Sequence, residues 1–488
     1  MRTASALVGL LSLAGLAACS GGGSGDGGPA AAGGPPAVPA VSLVYGVQTA
    51  TLPTRYDLHT VKSDGSGERQ LTGTGDALWA YAISGSKVIY DRWLRSHHHL
   101  YGVGLDGTSN VSLGSDTADV DQIYIGAAGD RAVFRTANSA EGANAWDLFS
   151  VKLDGTGLVQ IGSYAYVNSG SAIEPVMEGG KVIYTDVSGG AGDLYTVNPD
   201  GTGLTPLATG PSLEAVAGEM HFLEPSSGKL VYTEFTGGHT VLHAVKLDGS
   251  GAATLTPSTV SSAVSALIPG KLLYLVPGAS GTGSLWIVGL DGSGATALAS
   301  DPTRLQTAGP EIGTRITVQS RAGSVREVYA MNEDGSGAVA LSPLGGAYGI
   351  AGTAADRAIL STNLAPGRSQ LASVALDGTG FATLTPGTEL AYFQGAWGGR
   401  AVFLRNLATV SGQVQYALCA SRPDGTAPTI LVSHPSASVD SAQLAGDRIV
   451  FQLQDVSVST PVGLGSVKAD GTGEVRLATG NTTFMLAQ

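Results

Sequence analysis

Side chains of two different sizes alternate in the strands that the sequence predicts after residue 41, with apolar or small residues on both faces, and an Asp-Gly pair interrupts the alternation at regular intervals. Six positions before each of these Asp residues stands Leu, with Val328 as the exception, and seven positions after it stands Leu, with Ile161 as the exception. A period of two predicts β-strands, and Asp-Gly between two strands predicts a hairpin turn. Because no segment shows a sustained helical period, we predict an all-β chain.

The Asp-Gly pair marks a repeated unit with intervals of 42 to 48 residues. Most units also carry a basic residue, two apolar residues and an aromatic residue before the pair, as in Lys87-Val88-Ile89-Tyr90. Together these markers predict four strands per unit, and a period of this length is typical of a four-stranded propeller blade. The sequence therefore predicts a β-propeller of ten blades. The repeated Asp residues are Asp64, Asp106, Asp154, Asp200, Asp248, Asp291, Asp334, Asp377, Asp424 and Asp470.

The run Leu-Tyr-Thr-Val-Asn-Pro-Asp-Gly-Thr-Gly at 194–203, with its nine counterparts, resembles the hairpins of TolB-type propellers. The resemblance covers about residues 42–488 and implies a TolB-like propeller domain over 41–488. Two features of that family are absent: its Trp-Ser-Pro-Asp-Gly turn, and the α/β domain that precedes the propeller in TolB. The resemblance therefore implies the fold, whereas it does not carry over the partners of TolB.

The two ends of the repeat series predict how the series closes. Residues 42–45 match a second strand that no first strand precedes, whereas residues 484–488 align with the first strand at 78–82. A C-terminal strand that completes the first blade would remove two unpaired sheet edges. We therefore expect one ring of ten blades, closed by the C-terminal strand. Two five-bladed rings and an open arc are the alternatives.

The first forty residues indicate export and anchoring. Arg2 precedes an apolar run at 6–18, which is too short to span a bilayer but suits a signal peptide. The sequence Leu16-Ala17-Ala18-Cys19 resembles the lipobox of bacterial lipoproteins, which implies a signal peptide at 1–18 and lipidation of Cys19. An ordinary secretory signal is the alternative. By analogy with lipoprotein sorting, Ser20 favours the outer membrane, with the protein on its periplasmic or surface face. Residues 19–40 form a Gly/Pro/Ala/Ser tether.

Charge and composition narrow the classes of partner. The 488 residues include 26 Lys and Arg against 39 Asp and Glu, for a net charge of −13. This balance argues against nucleic acid and against electrostatic docking on anionic lipid. The repeated Asp residues are expected to accept backbone N–H groups within turns. Two cysteines cannot form a disulfide scaffold, and Cys419 stands at a position that is elsewhere aromatic, so we predict a buried thiol.

His97, His98 and His99 are the one local cluster of side chains that could bind a metal. They are expected in the loop between the second and third strands of their unit, where a solvated polar loop is the favoured interpretation over a metal site. His59 and His243 are expected to be packed histidines. The sequence lacks the nucleophile-elbow, Walker, zinc-protease and dinucleotide motifs, so no cofactor is expected.

Two functions from different classes remain. The favoured one is a lipid-anchored envelope protein, not an enzyme, whose propeller rim binds another protein or an extended polymer or serves as a scaffold. Its candidate contacts are aromatic and basic residues expected at the rim: Arg92, Trp93, Arg95, His98, Trp146, Tyr164 and Tyr166. The alternative is a propeller that binds or degrades polysaccharide by lyase or hydrolase chemistry. Some TolB-like propellers are oligogalacturonate lyases with a His-ligated metal, and that resemblance would give His97–His99 a role.

Overall fold

Every regular element that the structure describes is a β-strand, which confirms the all-β prediction. The computed structural model describes residues 40–487 except 52–53, 74, 76, 116–119, 141–144, 166–173, 187–191, 211–220, 225, 279–281, 300–304, 313–314, 323–324, 344–347, 366–367, 388, 411–412 and 459. The predicted signal peptide, the lipidation residue Cys19 and the predicted tether up to residue 39 lie outside these residues. Within the described part of the chain, no helix has the length and apolar character that crossing a membrane requires.

The described strands fall into ten groups of four, which we number as sheets in chain order. Sheet 1 contains β1 (Ser42–Thr51), β2 (Thr54–Lys62), β3 (Arg69–Gln70) and β40 (Thr482–Ala487). Sheet 2 contains β4 (Ala77–Ser84), β5 (Lys87–Leu94), β6 (His97–Gly104) and β7 (Val111–Ser112). Sheet 3 contains β8 (Ile123–Ala128), β9 (Arg131–Ala137), β10 (Ala145–Lys152) and β11 (Val159–Ala165). Sheet 4 contains β12 (Val176–Glu178), β13 (Lys181–Asp186), β14 (Asp193–Val197) and β15 (Thr205–Ala208).

The remaining sheets follow the same order. Sheet 5 contains β16 (His221–Glu224), β17 (Lys229–Thr236), β18 (His239–Lys246) and β19 (Ala253–Thr254). Sheet 6 contains β20 (Ala263–Ile268), β21 (Lys271–Pro277), β22 (Gly283–Gly289) and β23 (Thr296–Ala299). Sheet 7 contains β24 (Leu305–Ile312), β25 (Arg315–Ala322), β26 (Val325–Met331) and β27 (Val339–Ala340). Sheet 8 contains β28 (Tyr348–Ala354), β29 (Arg357–Ala365), β30 (Arg368–Ala375) and β31 (Ala382–Thr383). Sheet 9 contains β32 (Ala391–Trp397), β33 (Arg400–Val410), β34 (Gln413–Ser421) and β35 (Thr429–Val432). Sheet 10 contains β36 (Ala437–Ala445), β37 (Arg448–Asp455), β38 (Pro461–Lys468) and β39 (Val475–Thr479).

Neighbouring strands within each sheet are antiparallel, and a single residue pair, Tyr56 with Ala77, joins sheets 1 and 2 into one eight-stranded sheet. The C-terminal strand β40 takes the first position of sheet 1, because Leu43 of β1 pairs with Ala487 and Tyr45 with Phe484. The C-terminal strand β40 therefore supplies the first strand of sheet 1, as the alignment of the repeats predicts.

The hydrophobic core is divided among the interfaces between successive sheets. Ile89 and Leu100 of sheet 2, for example, pack with Phe134 and Val151 of sheet 3. Ten such clusters occur among the described residues; nine of them join two sheets that are neighbours in the series, and the tenth joins sheets 10 and 1. Both faces of each sheet are apolar because both are covered. Four-stranded antiparallel sheets stacked face to face are the blades of a β-propeller.

Sheets 10 and 1 share one of these interfaces. Leu43 and Tyr45 of sheet 1 pack with Val450 and Leu464 of sheet 10. At the same interface, the hydroxyl of Ser466 donates a buried hydrogen bond of 2.6 Å to the carbonyl of Ser63. The first and last sheets of the chain therefore contact each other as two successive sheets do.

The Asp-Gly turns have the predicted hydrogen bonds. In sheet 3, Asp154 Oδ1 accepts a hydrogen bond from the Thr156 backbone N–H at 2.8 Å and another from its hydroxyl at 2.6 Å. Gly155 and Gly157 have φ values of 83° and 63°, a conformation that favours glycine. These bonds lower the pKa of the Asp154 carboxyl, and the other repeated Asp residues behave alike. The repeated carboxylates on this rim therefore accept hydrogen bonds within their own turns.

Candidate functional site

The hairpin between the second and third strands of sheet 2 carries most of the predicted contact residues. Because successive strands are antiparallel, this hairpin lies at the end of the sheet opposite the Asp-Gly turn. His97–His99 were expected in a loop, and that expectation is wrong: β6 begins at His97, which pairs with Leu94 across a two-residue turn. The loop consists of Arg95 and Ser96 alone, so the three histidines follow the alternating geometry of a strand.

The turn at Arg95 and Ser96 holds both residues in the left-handed region, with φ values of 50° and 71°. Two consecutive positive φ values suit a two-residue hairpin, because they match the twist of the flanking strands. A residue with a Cβ atom loses about 1–2 kcal/mol in this conformation, and glycine would avoid that loss. The turn of sheet 2 therefore has an exposed Arg95 at a position where glycine would make the fold more stable.

Asp91 and His98 form a pair beside this turn. The Asp91 side chain is only 2% exposed, and its Oδ2 lies 2.7 Å from His98 Nδ1. Its Oδ1 accepts the Trp79 backbone N–H at 2.7 Å, and the Tyr81 hydroxyl donates a further hydrogen bond to the carboxylate. Burial raises the pKa of the Asp91 carboxyl, although these hydrogen bonds oppose the rise. The carboxylate therefore orients the His98 ring from inside the sheet interface.

His98 presents its other nitrogen away from Asp91. The ring is 41% exposed, and the described residues offer Nε2 no hydrogen bond. Because Nδ1 donates to a carboxylate, neutral His98 carries its proton on Nδ1 and leaves Nε2 as an acceptor. The Trp93 ring lies edge-on to His98, with 4.9 Å between centroids and an angle of 86°.

Asp121 borders His98 from the connection into sheet 3. Its Oδ1 accepts the His98 backbone N–H at 2.8 Å and lies 3.5 Å from His97 Nδ1. The Asp121 side chain is 47% exposed. Deeper in the same interface, Tyr81 stacks on Tyr124 with 5.1 Å between centroids, and burial raises the pKa of Tyr124 to about 12. Two carboxylates, one buried and one exposed, therefore flank the half-exposed His98.

Arg92 and His99 face the other side of sheet 2. The Arg92 guanidinium lies over the Tyr101 ring at 4.7 Å, and His99 is fully buried with Nδ1 3.2 Å from the Ser115 carbonyl. On a strand His98 faces one side of the sheet and His97 and His99 face the other, so the three adjacent histidines do not converge on one point. Among the described residues no group of three His, Cys, Asp or Glu side chains could hold a metal ion, so a site made of His97, His98 and His99 does not fit this geometry.

Sheet 3 places an arginine on a tryptophan at the same rim. The Arg135 guanidinium lies 4.3 Å from the centroid of the half-buried Trp146 ring. It also donates a 2.8 Å hydrogen bond to the Tyr164 hydroxyl and forms an ion pair with Glu174. Tyr164 was expected at the surface and is instead 2% exposed, because its hydroxyl partners the buried arginine. Tyr166, the remaining predicted contact, lies outside the described residues.

Comparison of equivalent positions separates the residues that the fold needs from those that it does not need. Eight positions before the repeated Asp stand Tyr56, His98, Trp146 and Tyr416 in sheets 1, 2, 3 and 9. The other sheets have smaller or aliphatic residues or Arg there: Gly192, Thr240, Gly283, Arg326, Ser369 and Val462. Since all ten sheets fold alike, a ring at this position is not required for folding. Tyr56 and Tyr416 are not among the contact residues predicted from the sequence, although the repeat pattern places both at the position of His98 and Trp146.

Two first strands expose an aromatic ring at another shared position. Trp79 pairs with Asp91 and is 42% exposed, and Tyr392 pairs with Leu404 and is 48% exposed. Trp79 lies against Tyr56 with 6.4 Å between centroids, and Tyr392 against Tyr416 with 5.8 Å. We call the set the aromatic rim; it consists of Tyr56, Trp79, Trp93, Trp146, Tyr392 and Tyr416, from sheets 1, 2, 3 and 9.

Comparison with solved structures finds propeller-containing proteins at low similarity. The β-propeller domain of the Trilobed protease from Pyrococcus furiosus is 12% identical at a TM-score of 0.33, over 64% of this chain and 99% of that one. TolB from Acinetobacter baumannii is 16% identical at 0.26, over 52% and 62%. Tricorn protease is 11% identical at 0.25, over 82% of this chain, which spans 44% of the length of that protein. At these values the activities of those proteins do not extend to this chain.

No protein-family model matches the sequence, and no curated protein matches it.

Proposed function

We propose that this chain is a lipid-anchored protein of the bacterial cell envelope whose propeller binds another protein through the aromatic rim. The observation that carries the proposal is a set of aromatic rings that reach the surface of one rim: Trp79 and Tyr392 are exposed, and Tyr56, Trp146 and Tyr416 are partly exposed at a position where most other repeats have small, aliphatic or basic residues. Tryptophan, tyrosine and arginine are frequent anchors of protein interfaces. The opposite rim consists of repeated turns whose carboxylates are already hydrogen-bonded.

We propose further that the ten sheets are ten blades of one closed ring. The contact of sheet 10 with sheet 1, the pairing of β40 with β1 and the Ser466–Ser63 hydrogen bond support this arrangement. Electron microscopy of the purified protein should show single rings with ten blades. Two smaller rings or an open arc would contradict the proposal, and deletion of residues 482–488 should lower the unfolding temperature.

The lipid anchor rests on the Cys19 sequence context. Cells that express the chain should incorporate radiolabelled palmitate into it, and Cys19→Ser should abolish the labelling. Fractionation of the same cells should place the wild-type chain with the outer membrane. A labelled Cys19→Ser variant, or a wild-type chain that carries no label, would contradict anchoring through this residue.

Capture from an envelope extract tests the binding role. Full-length tagged chain, solubilised in mild detergent, should retain one or more envelope proteins that the paired variant Trp79→Ala/Tyr392→Ala does not retain. Leu158→Ala/Phe381→Ala is the matched control, because it removes two exposed apolar side chains, 51% and 40% exposed, outside the aromatic rim. Equal capture by both variants would contradict a role for the aromatic rim. Binding to glycans but to no protein would favour the polysaccharide-binding alternative.

A further inference from the structure

We infer that the hairpin of sheet 2 binds an arginine side chain of the partner protein, and this inference rests on the proposed protein-binding function. Three groups converge at this hairpin: the Nε2 acceptor of His98, the exposed carboxylate of Asp121 and the ring of Trp93. Each offers one of the contacts that a guanidinium group makes in proteins: a neutral acceptor, a carboxylate and an aromatic ring.

The His98 acceptor has a fixed direction. Asp91 accepts the hydrogen bond from His98 Nδ1 at 2.7 Å, and the Asp91 side chain is only 2% exposed. Because the buried carboxylate also accepts the Trp79 backbone N–H at 2.7 Å, the ring cannot turn without leaving that carboxylate short of a donor. Nε2 is thus held as an acceptor toward solvent, and a ligand that donates a proton there would be recognised.

Asp121 supplies the second acceptor. Its Oδ1 is used by the His98 backbone N–H, whereas the described residues provide no partner for Oδ2. A guanidinium has five N–H donors in a planar fork and can reach two neighbouring acceptors, whereas an ammonium is a compact point charge. The two acceptors here are His98 Nε2 and Asp121 Oδ2, and Asp121 is hydrogen-bonded to the His98 backbone. Two acceptors on neighbouring residues therefore favour arginine over lysine.

Sheet 3 contains an internal counterpart of the proposed contact. Arg135 stands at the position equivalent to Asp91, and its guanidinium lies 4.3 Å over Trp146, the position equivalent to His98. The guanidinium is completed by the Tyr164 hydroxyl and the Glu174 carboxylate. In sheet 2 the equivalent position holds Asp91 instead of an arginine. The Trp93 ring and the acceptors of His98 and Asp121 are therefore left for an arginine from another protein.

The charges around the hairpin favour a cation. Asp91 and Asp121 both contact His98, and the whole chain carries a net charge of −13. Arg92 points to the other face of sheet 2, over Tyr101, and does not compete. Arg95 lies at the exposed turn of the same hairpin, where its charge would repel a cation, so Arg95→Gln should strengthen binding of a cationic probe.

The test uses acetyl-glycyl-arginyl-glycinamide as the probe, titrated into the full chain by NMR or calorimetry at low salt. The citrulline analogue keeps the shape without the charge, and the lysine analogue keeps the charge without the fork. Arginine should bind about tenfold more tightly than citrulline, as expected for hydrogen bonds to charged groups, and more tightly than lysine. His98→Ala and Asp121→Asn should each weaken arginine binding by about tenfold.

His239→Ala is the matched control, because His239 is the first residue of β18 and so occupies a hairpin of the same rim in sheet 5. It should leave the titration unchanged. Equal binding of arginine and citrulline, or wild-type affinity in both His98→Ala and Asp121→Asn, would overturn the inference. If those two variants still capture the envelope partner while Trp79→Ala/Tyr392→Ala does not, the proposed function stands and the arginine contact is wrong. If none of these variants loses a partner, the proposed function fails as well.

Discussion

Phe451 on β37 lies directly across from Gly465 on β38, and a Cβ atom added to Gly465 would come within 2.4 Å of Phe451 Cζ. In most other sheets the position of Gly465 holds an aromatic residue or His. The pair explains why sheet 10 departs from that pattern: the phenyl ring of one strand occupies the space over the other.

Gly465→Ala should therefore destabilise the fold by about 1–3 kcal/mol, the usual cost of overpacking. Thermal or denaturant unfolding of the purified variant measures the change. Phe451→Leu in the same chain should recover part of the loss, because the smaller side chain makes room for the new methyl group. Gly349→Ala is the control, since the nearest atom to its added Cβ lies 3.6 Å away. Equal effects of the two Gly→Ala changes would rule out the contact with Phe451 as the cause.

Ala427→Gly should stabilise the protein. Ala427 stands three positions after Asp424 with a φ of 50°, and in most other sheets that position is glycine with φ between 62° and 68°. Removing the Cβ relieves about 1–2 kcal/mol of left-handed strain, offset by about 0.5–1 kcal/mol of chain entropy. A small rise in the unfolding midpoint is the expected result.

Gly380→Ala provides the matching test in the opposite direction, because Gly380 occupies the same turn position in sheet 8 with a φ of 63°. It should lower the midpoint. Ser109, with a φ of 56°, should respond to replacement by glycine as Ala427 does. A midpoint that falls in Ala427→Gly would contradict the turn-strain explanation.

Acid should weaken the fold below about pH 4 through the Asp-Gly turns. Hydrogen bonds from Ser or Thr hydroxyls lower the pKa of each turn carboxyl in the folded state. A lowered folded pKa contributes stability above the unfolded value near 4 and loses it as pH falls through the folded value. Wild-type chain should therefore unfold more readily at pH 3 than at pH 5, as circular dichroism would show.

The triple variant Thr156→Val/Thr202→Val/Thr379→Val lacks three of the hydroxyl donors and should lose less stability over the same pH range. Thr136→Val, on strand β9 and outside any turn, is the control. Asp91 and Asp440 have the opposite effect on the pH dependence of stability, because burial raises the pKa of both carboxyls. Their contribution to stability decreases as the pH rises. An unchanged acid response in the triple variant would show that other carboxyls dominate.

The Cys419 thiol should be unreactive in the folded protein. It lies opposite Phe403, is 3% exposed, and burial raises its pKa to about 11. The thiolate is therefore scarce at pH 8, and a reagent must also reach it. In a Cys19→Ser chain, Ellman's reagent should detect no thiol until denaturant is added; rapid labelling of the native chain would contradict burial.

The sequence pattern predicted the repeated elements well because their determinants are local. Alternation defines strands such as β5, and Asp154 with Gly155 defines a turn, through bonds that span two residues. The hairpin at Arg95 and Ser96 was missed, because neither residue favours positive φ and the pairing of Leu94 with His97 decides the turn. Tyr164 was misplaced for a similar reason: its burial depends on Arg135, twenty-nine positions away.

By itself, the sequence determined the all-β class, the repeat of four strands and the chemistry of the Asp-Gly turns, since each depends on residues within one hairpin. The alignment of the repeats also predicted that the C-terminal strand β40 pairs with β1. Only the tertiary structure decided that sheet 10 packs on sheet 1, among the alternatives that the sequence left open, and that Asp91 orients His98. Those relationships join residues from different strands or from opposite ends of the chain. Their energies come from burial and hydrogen bonding between surfaces that no local pattern of side chains describes.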